Sequence, residues 1–211
     1  VGALGRLEAL ALRIGLILGH EAPQLQHAQM LVCAADHGLA ARGYVRGDAL
    51  ALASGNSAEF LVTYYACAKL GVVCVPLNLG WRADEIGYVL DHSQARGIVV
   101  EAQLVPLVAP AVEKVPEVRD VIVAFGTGGD YEQYPTDRTW LTFADLHADD
   151  SSEPEAFVDD RDPISYLYTS GTTSFPKGVI GSHTAIYLES LMVCVESGMN
   201  RDDRIACLMP L

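Results

Sequence analysis

Residues Ile164 to His183 read I-S-Y-L-Y-T-S-G-T-T-S-F-P-K-G-V-I-G-S-H, and the order of residue types in this run decides what must surround it. Ile164–Tyr168 is a short apolar, β-prone stretch, Thr169–Thr173 are all hydroxyl residues or glycine, and Lys177 follows four positions later. Gly178-Val179-Ile180-Gly181 then joins two glycines to two β-branched residues, a composition that weakens a helix and suits a strand. The expected device is strand, loop, strand. Such a loop can aim backbone N–H groups and hydroxyls at a polyanion, while the lysine adds a mobile cation with three donors, so phosphate is the guest it suits. A Walker-type loop needs G-x-x-x-x-G-K-[ST] and a helix directly after the lysine. Gly171 to Lys177 has that spacing, but Pro176 stands at the second glycine and Gly178 at the Ser/Thr position. The plainer alternative for this composition is an exposed Ser/Thr turn with an ordinary surface lysine. A helix is expected only later, capped by Ser182 or Thr184 and running through Ile186, Leu188, Leu191, Met192 and Val195.

Working outward, the hydrophobic period alternates between helix-like and strand-like. Helices are predicted over Leu4–Leu18 and Gln26–Arg42, the second ended by Gly43. Asp48–Ala53 reads as a strand, and Asn56 with Glu59 resembles a capping box that opens a helix closed by Gly71. Val72–Val75 is a continuous apolar run that fits a strand covered on both faces. Ala83–His92 reads as helix, Gly97–Val100 as strand, Leu104–Lys114 as helix and Val118–Ala124 as strand. This alternation implies an α/β fold with a mainly parallel sheet joined by crossovers. Gly126–Thr139 reads as loop. Asp149–Asp162 carries Asp149, Asp150, Glu153, Glu155, Asp159, Asp160 and Asp162 against Arg161, and is read as a solvated connector rather than a cation site. The expected organisation is an N-terminal α/β subdomain over 1–148, an acidic connector over 149–163, and the phosphate-loop segment over 164–211. That last segment opens the second half of the same large domain.

Composition narrows the function. Half of the 211 residues are apolar, so a buried core is expected, and 14 basic against 27 acidic residues give a net charge of −13. Such a surface repels phosphate backbones and anionic membranes, which argues against nucleic-acid binding. Cys33, Cys67, Cys74, Cys194 and Cys207 form an odd set without a C-x-x-C pair or a histidine at metal-ligand spacing, as in a reduced, cytoplasmic protein. Cys67 and Cys74 stand in apolar contexts that suit core packing, and Trp81 reads as a loop anchor. The apolar stretch Leu7–Leu18 is broken by Glu8 and Arg13 and is too short to span a membrane. The chain opens on Val1 without a cleavage-site pattern, as the interior of a longer protein would.

Tyr168 to Val179, Y-T-S-G-T-T-S-F-P-K-G-V, resembles the phosphate-binding signature of the adenylate-forming superfamily, which includes acyl-CoA synthetases, peptide-synthetase adenylation domains and firefly luciferase. Gly47-Asp48, Asn56-Ser57-Ala58-Glu59-Phe60, Ala68-Lys69-Leu70-Gly71, Val75-Pro76-Leu77-Asn78 and Asp91-His92-Ser93 stand in the order found in the N-terminal part of acyl-CoA ligases. The resemblance covers Met30 to Leu211; Val1–Gln29 matches poorly and lacks the family's threonine-tyrosine lead-in. Ser174 departs from the usual glycine and is similar to the variant in carnitine- or crotonobetaine-type CoA ligases. Asn78, where peptide-synthetase domains carry Asp, and the run from Arg201-Asp202-Asp203-Arg204 to Leu208-Met209-Pro210-Leu211 also lean toward the CoA-ligase branch.

The resemblance implies a two-step ligase. A carboxylate attacks the α-phosphorus of ATP to give an acyl-adenylate and pyrophosphate, and a thiol, most often of CoA, then takes the acyl group. Ser170, Gly171, Thr172, Thr173 and Ser174 are expected to wrap the β- and γ-phosphates, with Gly178 beside them. Lys177 is expected to neutralise the departing pyrophosphate, with Thr172 sharing the catalytic role, and Thr169 to help hold Mg²⁺. The implied partners are a carboxylic acid, ATP and CoA, and a homodimer is an open possibility. His183 is either an active-site residue or a helix-start residue with a backbone hydrogen bond. Alternatives are an acyl-AMP ligase or a peptide-synthetase adenylation domain that loads a carrier protein, or a non-catalytic nucleotide-binding fragment. The family's acyl pocket, adenine motif and C-terminal lysine fall after Leu211, so these residues alone are expected to hold no complete active site.

Overall fold

The computed structural model describes residues 35–124, 138–146, 152, 154–169 and 175–200. Among them, seven strands form one sheet: β1 (Ala49–Ala53), β2 (Val73–Pro76), β3 (Ala95–Glu101), β4 (Asp120–Ala124), β5 (Thr139–Thr142), β6 (Pro163–Thr169) and β7 (Lys177–Ser182), in spatial order β5-β4-β3-β1-β2-β6-β7. Every neighbouring pair is parallel except β6 with β7. The α/β class and the mainly parallel sheet expected from the alternating pattern are both present.

The strand sequences explain why both faces are covered. Ala49, Ala51 and Ala53 of β1 point into one apolar cluster and Leu50 and Leu52 into the other, as the two-residue strand period requires. One face is packed by α2 (Ala83–His92) and α3 (Val105–Val112), through Ile86, Val89, Val108 and Val112. The other is packed by α1 (Ala58–Leu70), the helical segment 35–41, and Phe143 and Leu146. After β1 the chain crosses to β2 by α1 and then to β3, on the other side of β1, by α2. That reversal puts helices on opposite faces, as in doubly wound sheets.

Local chemistry sets the element ends. The helix after β1 is capped one residue later than the Asn56–Glu59 reading expects: Ser57 is the N-cap, and its Oγ accepts from Phe60 N–H at 2.9 Å. Glu59 still lies in the first turn and Lys69 in the last, where each sign complements the helix dipole. Gly71 ends the helix at φ 70°, a left-handed conformation that glycine adopts without strain, and β2 follows two residues later. The α2 boundaries match the sequence expectation, with Arg82 N–H donating to the Glu85 carboxylate at 2.9 Å. Thr139, expected as the last residue of the loop Gly126–Thr139, instead opens β5 (Thr139–Thr142), paired with β4 from Asp120↔Thr139 to Val123↔Thr142.

Long-range polar contacts join these elements. Asp36 is fully buried and pairs with Lys69 at 2.6 Å, tying segment 35–41 to α1. Burial nevertheless holds the Asp36 carboxyl above its ordinary range. Tyr44 and Arg42 both bond to Asp120 at the start of β4. The acidic stretch is mostly exposed over 154–162, and Asp162 meets Arg46 at 2.6 Å. The predicted helix Leu4–Leu18 and most of Gln26–Arg42 lie outside the described residues. Among the described residues, no helix is long and apolar enough to cross a membrane.

Candidate phosphate-binding site

β6 lies parallel to β2, with Cys74 opposite Ser165, so its last residue, Thr169, emerges at the carboxyl edge of the parallel strands. Open α/β sheets bind their ligands at this edge. β7 returns antiparallel and pairs Lys177 with Thr169, bringing the lysine back to the same edge. Of the expected site residues, the structure thus places Thr169, Lys177 and Gly178 together. Ser170, Gly171, Thr172, Thr173 and Ser174 lie outside the described residues.

Thr169 and Lys177 are both exposed. The Thr169 hydroxyl donates only a long contact, 3.5 Å, to the Lys177 carbonyl, at the limit of a useful hydrogen bond. Among the described residues no carboxylate pairs with the Lys177 amine. A cation that no described carboxylate engages, beside a weakly engaged hydroxyl, is an arrangement suited to an anionic ligand.

Gly178 has a packing reason. It sits directly across from Tyr168, and a Cβ at this position would lie 3.0 Å from Tyr168 Cζ. The tyrosine ring lies over backbone that a side chain would block. On its other side Tyr168 meets α2: its hydroxyl is 2.7 Å from His92 Nδ1, and the two rings are edge-on with centroids 5.8 Å apart. His92 stacks on Tyr88 one turn earlier, at 5.4 Å, and Tyr88 stacks on Phe175 at 4.5 Å with planes 23° apart. Burial and the neighbouring Tyr88 and Tyr166 push the Tyr168 phenol upward, so it stays protonated at neutral pH. In the sequence His92 stands out only within the family-like run Asp91-His92-Ser93, and Tyr88 and Phe175 carry no assigned role. The available signals were the Tyr88–His92 spacing of four on one helix face and the Tyr166–Tyr168 spacing of two on one strand face.

His183 opens α4 (His183–Glu196) behind the N-cap Ser182, whose Oγ accepts from Ala185 N–H at 3.2 Å. Its own N–H donates to Asp162 O at 3.1 Å, the helix-start role left open by the sequence. Its ring is buried with neither nitrogen partnered among the described residues, and burial lowers its pKa against the pull of Asp162 and Asp160. Cys67 and Cys74 are fully buried, and the Cys67 contact together with burial pushes the Cys74 thiol well up, which suits packing rather than nucleophilic work. Trp81 is buried in the main apolar cluster, as a loop anchor would be. Asn78 accepts from Gly80 N–H at 2.9 Å and so shapes the turn before α2.

Residues 26–211 match the family described as AMP-binding enzyme, and the chain belongs to that family. It is 31% identical over 189 residues to a medium/long-chain-fatty-acid–CoA/3-oxocholest-4-en-26-oate–CoA ligase of Mycobacterium marinum, covering 86% of this chain and 33% of that protein. It is 32% identical over 152 residues to the fatty acid–[acyl-carrier-protein] ligase ScoC of Streptomyces coeruleorubidus, covering 72% of this chain and 26% of the relative. Among solved structures, the anthranilate CoA ligase AuaEII in complex with anthranoyl-AMP superposes with a TM-score of 0.72 at 22% identity, over 81% of this chain and 32% of that one, a likeness of fold. The chain thus spans about one third or less of the length of the curated relatives it matches.

Proposed function

We propose that these residues are the N-terminal part of the large domain of a cytoplasmic, ATP-dependent acyl ligase, which activates a carboxylic acid as its acyl-adenylate and passes the acyl group to the thiol of CoA. The observation that carries the reading is the pairing of Thr169 with Lys177 at the carboxyl edge of the sheet, on the two sides of a family-type signature. In this reading 1–148 form the first part of the domain, 149–163 connect, and 164–211 begin its second half. That β6 joins β2 in the same sheet supports the assignment of both parts to one domain.

Nucleotidyl transfer asks little covalent chemistry of a protein, so position and charge carry the rate. The Lys177 ammonium offsets the negative charge that builds on departing pyrophosphate. Ser170 to Ser174, with Thr172 central among them, supply hydroxyl and N–H donors to the β- and γ-phosphates. Mg²⁺ is a hard ion usually bound through few protein oxygens together with substrate phosphates, and it supplies charge neutralisation. The exposed, weakly engaged Thr169 hydroxyl fits that sparse donor set. Transfer to a carrier protein is the second reading, favoured by the similarity to a carrier-protein ligase.

ATP–pyrophosphate exchange by the full-length protein, with fatty acids of graded length, tests the first step. Lys177→Ala is expected to lower exchange by about 10²- to 10³-fold while the denaturation midpoint stays in place, because the side chain is exposed. Undiminished exchange in this variant sinks the phosphate role. Release of CoA thioester or of acylated carrier protein then separates the two acceptors.

A further inference from the structure

Three contacts converge on Tyr168, the last residue but one of β6. Its hydroxyl is 2.7 Å from His92 Nδ1 at the end of α2, its ring meets the His92 ring edge-on, and its apolar part packs against the main cluster. Toward β7, its cross-strand partner is Gly178, where a Cβ would stand 3.0 Å from Tyr168 Cζ. The next pair along the ladder is Thr169 with Lys177. The tyrosine therefore lies between α2 and two residues of the phosphate site. The sheet itself gives this end of the hairpin little support: the registered pair of β6 with β2, Cys74 with Ser165, stands four residues before Thr169, and β7 is exposed from Lys177 to Ile180.

Resting on the phosphate-site reading, we infer that Tyr168 and His92 are positioning residues for Lys177: the hydrogen bond between them fixes the start of β7 against α2 and so sets where the ammonium stands. Lysine carries its charge on a flexible four-carbon stem, so the backbone that bears it has to be held if the charge is to meet a departing pyrophosphate. Misplacement by about 1 Å at a reacting centre can cost about 10²-fold in rate. His92 is itself oriented, stacked on Tyr88 with centroids 5.4 Å apart, and Tyr88 packs against the main cluster. The chain of support thus runs from the core through Tyr88, His92 and Tyr168 to the strand that carries the lysine. Gly178 completes it, because a side chain there would push the tyrosine ring away from β7.

ATP–pyrophosphate exchange by the full-length protein, read as separate KM values for pyrophosphate and for the fatty acid, tests the inference. Tyr168→Phe keeps the ring and removes the hydroxyl; it is expected to raise the pyrophosphate KM by about three- to tenfold, the worth of one hydrogen bond, and to leave the fatty-acid KM and the urea midpoint in place. His92→Phe, which keeps the stack on Tyr88, should give the same rise, and the two changes together no more than either alone. In a Lys177→Ala background Tyr168→Phe should add nothing, since its effect passes through the lysine. An unchanged pyrophosphate KM in Tyr168→Phe overturns the inference. So does an equal rise for both substrates, which marks a general structural role, or full additivity with Lys177→Ala. If Lys177→Ala lowers exchange while Tyr168→Phe and His92→Phe do not, the phosphate site stands and the positioning role falls. If Lys177→Ala leaves exchange intact, the phosphate-site reading fails and takes this inference with it.

Discussion

The β1–β5 body and the β6–β7 hairpin share one sheet, yet different interactions hold them in place. β1 and β4 are buried at every position, with helices or short turns packed on both faces. β7 is exposed over its first four residues, with Ile180 67% accessible, and the only buried residue of α4 is His183. Val179, Ile180, Leu188 and Met192 are as apolar as the core residues, so composition alone does not distinguish the regions. The hairpin's position depends instead on a short ladder to β2, hydrogen bonds from the start of α4 to the acidic connector, and the aromatic contacts to α2. In this division the body supplies stability, while the hairpin presents Thr169 and Lys177 without burying them.

The contrast can be broken most directly by equal truncations on its two sides. Leu52→Ala in β1 should cost about 2–5 kcal/mol, and Ile180→Ala in β7 no more than about 0.5 kcal/mol, each read from the urea midpoint of the full-length protein. Comparable losses would show that the hairpin is as firmly packed as the body. A smaller effect concerns His183. Its folded-state pKa lies below the ordinary histidine value of about 6.5, so the unfolded chain binds the proton more readily. Its contribution is therefore present above about pH 6.5 and is lost as pH falls through the lowered value. His183→Leu should flatten the decline of the thermal midpoint between about pH 7 and 5; an unaltered slope would remove the histidine from the account.

The smallest expected effect lies in the acidic connector. The hydrogen bond from Arg46 holds the Asp162 carboxyl below its usual range, so its contribution is present above about pH 4 and disappears as pH falls further. Asp162→Asn should reduce the loss of midpoint between about pH 5 and 3, modestly, because the pair is partly exposed and screened. A steeper acid loss in the variant would contradict the sign of this argument.

Elements with strong local signals were legible in the sequence. The α2 limits and the two strands on either side of residues 170–174 follow from periodicity, glycine and β-branched residues, and Gly71 marked a helix end that the left-handed φ confirms. The cap at Ser57 was displaced by one because Asn56 and Ser57 are both good capping types, and only the backbone geometry chooses between them. β5 was missed since four residues, T-W-L-T, give too short a pattern, and what makes them a strand is the long-range pairing with β4. The site was legible as a list of residue types but not as a structure. The contact between His92 and Tyr168 spans 76 positions and depends on α2 and β6 meeting across the sheet, which no local pattern encodes.

The parallel pairing of β2 with β6 carries a consequence for synthesis on the ribosome. About ninety residues separate Cys74 from its partner Ser165. At typical translation rates of about 5–20 residues per second, the outer edge of β2 waits roughly 5–20 seconds for the strand that covers it. Val73, Cys74 and Val75 form an apolar, uncharged run with unpaired backbone groups during that interval, the kind of edge on which nascent chains associate. Asn78, whose Oδ1 accepts from Gly80 N–H at 2.9 Å, turns the chain just after β2, so the edge left open until its neighbour is made is only four residues long.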